Sequence, residues 1–140
     1  MDDSGHDALL AAARDALDAA YAPYSAYPVG AALRAADGTV FTGCNVETAN
    51  YSNSLHAEEV AVGSAVAAGH RSFAALAVTA EHRDGLWPCG SCRQTLAEFC
   101  DEAFPILADD GSGDPVVRPL GELLPDAIGP ADLGVDVDGR

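Results

Sequence analysis

Hydrophobic and polar residues alternate along the chain with two different periods, which predict a mixture of helices and strands. Residues 9–21 place apolar side chains at helical spacing between charged ones, and this predicts an amphipathic helix. Residues 27–34 and 39–46 are strand-like runs on either side of an Asp37-Gly38 pair, which favours a tight turn. The first part of the chain is therefore expected to be a helix followed by a hairpin.

The rest of the chain alternates between helical and extended patterns. Residues 57–68 are apolar on nearly every side, which predicts a helix buried on both sides and ended by Gly69. The further elements expected are a continuous apolar strand at 73–79, a helix at 89–100 and short strands at 104–108 and 116–118. This order predicts an α/β fold, in which helices cover both faces of a mixed sheet.

The length of 140 residues predicts a single domain spanning 1–140, with a loosely ordered tail from about residue 129. No apolar stretch approaches the roughly 18 residues that suggest a membrane span. The first residues are acidic, where a secretory signal would be basic. We therefore expect a soluble, cytoplasmic protein without a membrane partner.

Acidic residues outnumber basic ones by 22 to 7, and all seven basic residues are arginines, so the net charge is −15. A protein without a basic patch lacks the counterion release that drives binding to nucleic acid polymers, and such polymers are excluded as partners. A strongly negative, lysine-free surface also suits a salty cytoplasm, where self-repulsion is screened. Halophilic origin is therefore a hypothesis.

The buried helix opens with polar residues, in the sequence Ser-Leu-His-Ala-Glu-Glu. Carboxylates that enter a buried region need a partner, so Glu58 requires an explanation. His56 and Glu58 are two residues apart and would point to opposite sides in the middle of a helix. They can serve one site only at the tip of the helix.

Cys89 and Cys92 form the second informative group, because they are separated by two residues at the start of a predicted helix. Helix amides stabilise thiolates, and two thiolates with one imidazole suit zinc. His56 is the leading candidate for the third ligand. Three protein ligands leave the fourth position open for water, whose pKa zinc lowers, and Glu58 could then carry protons.

Simpler interpretations remain open at this point. Glu58 and Glu59 could be first-turn acids favoured by the helix dipole. The zinc site could be structural, with Cys44 or another histidine as its fourth ligand, or the two closely spaced cysteines could be a redox dithiol. A structural zinc site would give Glu58 no function, and the activity of a redox protein would survive the loss of His56.

These residues match a known signature, since zinc deaminases carry His-x-Glu followed by Pro-Cys-x-x-Cys. From about residue 20 to 130 the chain resembles the small cytidine deaminases of nucleoside salvage. The stretches that carry the resemblance are AYAPYSAYPVGAAL, FTGCNVETANYSNSLHAEEVA, PCGSCRQTLAEF and GELLP.

The resemblance implies a three-layer α/β/α fold with a mainly five-stranded sheet, one Zn²⁺ per subunit, and a homotetramer that shares active sites between subunits. It implies hydrolysis of cytidine or 2'-deoxycytidine to the uracil nucleoside and ammonia, with Glu58 as the acid and base. It further implies that Asn45 and Glu47 contact ribose hydroxyls, that Tyr27 lines the base pocket, and that the backbone amide of Ala57 binds the pyrimidine carbonyl.

The chain departs from the family pattern at four positions. His56 stands where many short members have a third cysteine, and Glu59 stands where they have an arginine that offsets the extra thiolate. Trp87 replaces a small hydroxyl residue, and Ile128 replaces a phenylalanine that stacks on the base across the subunit interface. Another cytosine nucleoside, such as a modified cytosine or a nucleoside antibiotic, is therefore an alternative substrate, and a non-catalytic zinc-binding module is a further alternative.

Overall fold

Five strands form one mixed sheet in the computed structural model of this chain, which describes residues 3–137. In chain order they are β1 (Val29–Ala35), β2 (Val40–Cys44), β3 (Phe73–Ala80), β4 (Pro105–Asp109) and β5 (Pro115–Pro119). Their order in the sheet is β2-β1-β3-β4-β5, where β3 and β4 run parallel and the other neighbours antiparallel. The predicted α/β fold with a mixed five-stranded sheet is confirmed.

Helices cover both faces of the sheet. Helix α1 (Asp3–Leu17) packs on one face, and α2 (Ala57–Ala67) with α3 (Gly90–Phe99) packs on the other. A short helix, α4 (Leu120–Leu123), follows β5 and contributes to the same core as α2 and α3. The result is three layers, with two separate hydrophobic cores on either side of the sheet.

The two-residue period of the strands divides their side chains between these cores. In β1, Leu33 faces α2 while its neighbour Ala32 faces α1. In β3, Leu76 faces α2 and its neighbour Ala77 faces α1. Because both faces are buried, the middle strands are apolar at nearly every position, which explains why residues 73–79 have no polar alternation.

Helix α1 ends at Leu17, four residues earlier than its periodicity predicted. The chain then extends, and the N–H of Tyr21 donates to the carbonyl of Asn45 at 3.0 Å, while the Tyr21 carbonyl accepts from the N–H of Glu47 at 2.8 Å. Pairing with a segment more than twenty residues away therefore overrides the helical pattern. It also brings residues 21–27 beside residues 45–47.

The turn predicted at Asp37-Gly38 and the helix end predicted at Gly69 are both present. Gly38 has a φ of 94° at the turn between β1 and β2, and Gly69 has a φ of 97° immediately after α2. Beyond Gly69, the N–H of His70 donates to the carbonyl of Ala65 at 3.0 Å, which closes the helix end. Both positions have the left-handed backbone conformation that glycine adopts without strain.

Beyond Gly129, where loose order was predicted, residues Pro130–Leu133 form one turn of 3-10 helix. The segment before it is tied to α3, because the Gln94 side-chain amide donates to the carbonyl of Ile128 at 2.9 Å. Of the helices within residues 3–137, none combines the length and the apolar character needed to cross a membrane.

Candidate active site

Two helices begin at the same place on one side of the sheet. His56 is the last extended residue before α2, and Cys89 has the same position before α3. Cys92 lies in the first turn of α3. The positive ends of two helix dipoles therefore point at the group formed by His56, Cys89 and Cys92, which favours negative charge on the sulfurs.

The three side chains meet at one point. The Nδ1 atom of His56 is 3.2 Å from the Sγ of Cys92 and 3.3 Å from the Sγ of Cys89, and all three atoms lie within 4.8 Å of one another. Tetrahedral zinc, with Zn–S of about 2.3 Å and Zn–N of about 2.0–2.1 Å, would hold such atoms about 3.5 Å apart. The donor set and its spacing therefore fit zinc.

The two thiols differ in their surroundings. Cys92 is buried and Cys89 is exposed. Burial, together with the nearby Glu58 carboxylate, raises the pKa of the Cys92 thiol far above its usual range in the metal-free chain. A metal that binds here must displace that proton, so metal binding by this group is expected to release protons.

Glu58 is the buried carboxylate within the part of the chain that the structure describes, with 5% of its surface exposed. Burial raises the pKa of its carboxyl, while His56 and the Cys92 thiol act in the opposite direction. A carboxyl group in such surroundings accepts and returns protons more readily than an exposed one. Glu58 is therefore placed to transfer protons beside the His56–Cys89–Cys92 group.

Glu59 has a structural task that the sequence did not reveal. Its carboxylate accepts a hydrogen bond from the backbone N–H of His56 at 2.9 Å, across the first turn of α2. This contact holds the residue before the helix in its extended conformation, as the carboxylate of a capping box does. Glu59 thus fixes the backbone of His56. The sequence analysis had associated this position with the absence of a compensating arginine.

A cavity of about 590 Å³ opens beside the His56–Cys89–Cys92 group. It is lined by every residue to which the sequence analysis assigned a substrate contact, namely Tyr27, Asn45, Glu47 and Ala57. His56, Glu58 and Cys89 line the same cavity. The fold therefore brings the predicted substrate-binding residues and the reactive group into one space.

Asn45 and Glu47 are held by hydrogen bonds to the end of the segment before β1 and to the first residue of that strand. The Asn45 side chain accepts from the N–H of Val29 and donates to the carbonyl of Tyr27, both at 2.9 Å. The Glu47 carboxylate accepts from the hydroxyl and the N–H of Ser25, and these bonds lower the pKa of Glu47. Both side chains are thus preorganised, and Glu47 is held as an anion.

Sequence reasoning did not single out several residues that line the cavity or support it. Tyr24, Ser25 and Tyr51 line its wall, from two segments that are distant in the chain. Arg93 donates from Nε to the carbonyl of Pro88 at 2.6 Å and so holds the segment that carries Cys89. An arginine directly after a ligand cysteine, in a chain with few basic residues, is the signal that could have identified it.

Gly43 controls where α2 begins. A Cβ atom at this position would lie 2.2 Å from the carbonyl oxygen of Ala57 and 2.6 Å from the amide nitrogen of Ala61. Both contacts are with backbone, which cannot rotate away. The first turn of α2 therefore rests directly on β2, and this close approach sets the positions of His56 and Glu58.

We expect Gly43→Ala to push the first turn of α2 away from the sheet. The unfolding free energy should fall by about 1–3 kcal/mol, as for other overpacked sites, and kcat/KM by about 100-fold, since displacing reacting groups by 1 Å has an effect of that order. Gly63→Ala is the matched control, because it lies in α2 with no atom near its added Cβ. Activity assays and denaturant titrations check both; an unchanged kcat/KM in Gly43→Ala would contradict the positioning role.

An imidazole and two cysteine sulfurs that can hold a metal, beside a buried carboxylate, are typical of metal-dependent hydrolase sites, in which such a carboxylate transfers protons. The family model described as the cytidine and deoxycytidylate deaminase zinc-binding region matches residues 3–108. The chain belongs to this zinc-binding deaminase family.

Similar proteins of known name agree with this assignment. A cytidine deaminase of Sporosarcina psychrophila is 46% identical over 125 residues, covering 89% of this chain and 92% of the relative. A cytidine deaminase of Mycobacterium tuberculosis is 42% identical over 135 residues, covering 95% and 96%. The crystal structure of cytidine deaminase from Burkholderia pseudomallei superposes with a TM-score of 0.83 at 47% identity, covering 88% of this chain and 98% of that one.

Proposed function

We propose that this protein hydrolyses the exocyclic amino group of cytidine and 2'-deoxycytidine, releasing ammonia and the corresponding uracil nucleoside, in pyrimidine salvage. The observation that carries the proposal is the buried Glu58 carboxylate, which lines the same cavity as His56 and Cys89. A structural zinc site or a redox dithiol would not need a buried carboxylate at this position, because its burial is unfavourable.

His56, Cys89 and Cys92 would hold the zinc ion, and a neutral imidazole with two thiolates balances its double positive charge. When bound, zinc lowers the pKa of water and so supplies a nucleophile at neutral pH. No arginine is then needed to offset a third thiolate, which agrees with Glu59 at the position after Glu58.

Glu58 moves the protons of the reaction. Its carboxylate takes a proton from the water that attacks C4 of cytosine, and the resulting acid protonates N3 of the ring. The second proton of that water is later delivered to the amino group, which leaves as ammonia while the C4 carbonyl forms. Glu58 ends as the carboxylate, so the cycle consumes one water molecule and no other reactant.

The nucleoside would be held by four contacts. Asn45 and Glu47 would bind the ribose hydroxyls, with side chains that are already held by Val29 and Ser25. Tyr27 lines the base pocket, and the N–H of Ala57 binds the pyrimidine carbonyl. Ala57 is the first residue of α2, where backbone N–H groups have no partner within the helix.

The test is the fall in ultraviolet absorbance as cytosine becomes uracil, measured with purified protein, cytidine and 2'-deoxycytidine in molar KCl. We expect turnover that a zinc chelator abolishes and that added zinc restores. Absence of turnover by a protein that retains one zinc per chain would refute the proposal and favour a structural zinc module. Turnover that depends on the two cysteines but survives the loss of His56 would instead favour a thiol reaction.

We further propose that the protein is a homotetramer in which a neighbouring subunit covers the cavity. Large apolar side chains at the cavity wall support this, because Tyr24 is 50%, Tyr51 73% and Leu55 48% exposed in the single chain. Light scattering should give four times the mass of one chain, and a monomer with full activity would contradict shared active sites.

The charge of −15 without lysine supports a cytoplasmic role at high salt. Screening by salt reduces the repulsion among the exposed carboxylates, so the fold should persist in about 3 M KCl. Circular dichroism at low and high KCl checks this. Loss of structure in concentrated KCl, with retention in dilute buffer, would contradict adaptation to salt.

A further inference from the structure

Trp87 is the chain's single tryptophan, and it lines the cavity beside the residues that would hold zinc. It lies two residues before Cys89, and Pro88 between them is fully buried. Arg93 also holds this segment, because its Nε–H donates to the carbonyl of Pro88 at 2.6 Å. The backbone at Trp87 is therefore fixed relative to Cys89.

The indole ring itself is held by two contacts. It packs against the hydrophobic core that α2 and α3 form with the sheet. In addition, the guanidinium carbon of Arg118, from β5, lies over the ring, 5.0 Å from its centroid. Such a cation over an aromatic face is attractive, and the pair restricts rotation of the ring. Glu122 lies 3.6 Å from Arg118 and partners its charge from α4.

We propose that Trp87 is a specificity-determining residue that limits the size of substituents on the reacting edge of cytosine, at N4 or C5, and that Arg118 is the positioning residue that holds it. This inference rests on the proposed function, because the carbon under attack must then lie beside His56, Cys89 and Glu58. The atoms next to that carbon, N4 and C5, face the same end of the cavity, where Trp87 forms a rigid wall.

A rigid wall acts on substrates selectively. A side chain that only stabilises the fold changes kcat/KM for every nucleoside by the same factor, whereas a wall changes the ratio between large and small substrates. In pockets of this kind a single added methyl group changes kcat/KM by about 10- to 200-fold. The informative quantity is therefore the kcat/KM of N4-methylcytidine and of 5-methylcytidine, each divided by that of cytidine.

We expect Trp87→Ala to raise at least one of these two ratios by about tenfold or more. Trp87→Phe should keep both ratios near those of the wild type, because it retains an aromatic wall. Arg118→Met should raise the same ratio in part, by releasing the ring, and Glu122→Gln serves as the control that leaves the Arg118–Trp87 contact in place. Ratios that stay unchanged in Trp87→Ala, or an equal fall for all three nucleosides, would overturn the inference.

The wild-type protein offers a second measurement that needs no variant. Since Trp87 is the only tryptophan, its fluorescence reports on this wall alone. Titration with uridine, the reaction product, should change its emission, and calorimetry under the same conditions measures binding independently. Binding without any fluorescence change would overturn the inference. Wild-type protein that binds uridine but does not turn over cytidine would refute the proposed function, and calorimetry of Trp87→Ala with the methylated nucleosides would still test the wall.

Discussion

Glu58→Gln is expected to reduce the turnover of cytidine by about 100- to 10,000-fold while leaving one zinc per chain. The amide keeps the size of the side chain and can accept a hydrogen bond, but it cannot take a proton from water or return one to N3. Removal of a positioned acid and base has an effect of about 100- to 10,000-fold in enzymes generally. Turnover assays and metal analysis of the same sample give both numbers.

The stability of Glu58→Gln separates lost chemistry from lost structure. Burial of the Glu58 carboxylate is unfavourable, as the rise in its pKa indicates. A neutral amide reduces this cost, so we expect a thermal unfolding temperature at least equal to that of the wild type. An inactive variant that also melts at a much lower temperature would mean that misfolding, rather than the missing proton carrier, explains the loss.

Glu59→Gln is the matched control, since it makes the same change one residue further along α2. Glutamine at this position can still accept the hydrogen bond from the N–H of His56. The variant should therefore keep most of the wild-type turnover. If Glu58→Gln and Glu59→Gln lost activity equally, Glu58 would not be the specific proton carrier.

Cys92→Ser is expected to abolish zinc binding and to reduce turnover by at least about 100-fold. Even partners that only orient metal ligands cost about 10- to 100-fold when they are removed, and a direct ligand should cost more. Cys92 is buried, and its Sγ lies 3.2 Å from the Nδ1 of His56. No other side chain can therefore take its place without movement of α3. Zinc content per chain and kcat/KM are the measurements.

Cys44→Ser is the control for this change. Cys44 is half-buried at the end of β2 and does not belong to the His56–Cys89–Cys92 group. The substitution should leave both zinc content and turnover close to those of the wild type. A loss of zinc from Cys44→Ser would instead favour the structural site in which Cys44 is the fourth ligand.

The sequence predicted the fold well where local patterns and burial agree. The apolar run at 73–79 became a strand buried on both faces, and the turn at Gly38 joins the two strands expected around it. The end of α1 was predicted wrongly, because Tyr21 pairs with the backbone at Asn45 and Glu47. Long-range pairing of this kind leaves no trace in the periodicity of residues 9–21.

The candidate site could be predicted to a similar extent. The His56–Cys89–Cys92 group was identifiable because few residue types bind zinc and because two cysteines separated by two residues can turn both sulfurs to one point. The Glu59 bond to His56 was compatible with a capping box but could not be distinguished from a charge effect. The contact between Trp87 and Arg118 joins segments more than thirty residues apart, so only the folded chain reveals it.

The convergence of α2 and α3 on one group has a thermodynamic consequence. Because His56 immediately precedes α2 while Cys89 and Cys92 lie at the start of α3, an ion bound to all three would cross-link these helices and would be released when they separate. Folding stability then grows with the logarithm of free zinc once its concentration exceeds the dissociation constant, by about 2.7 kcal/mol at a hundredfold excess. A Tm measured for this protein is therefore meaningful only at a stated concentration of free zinc.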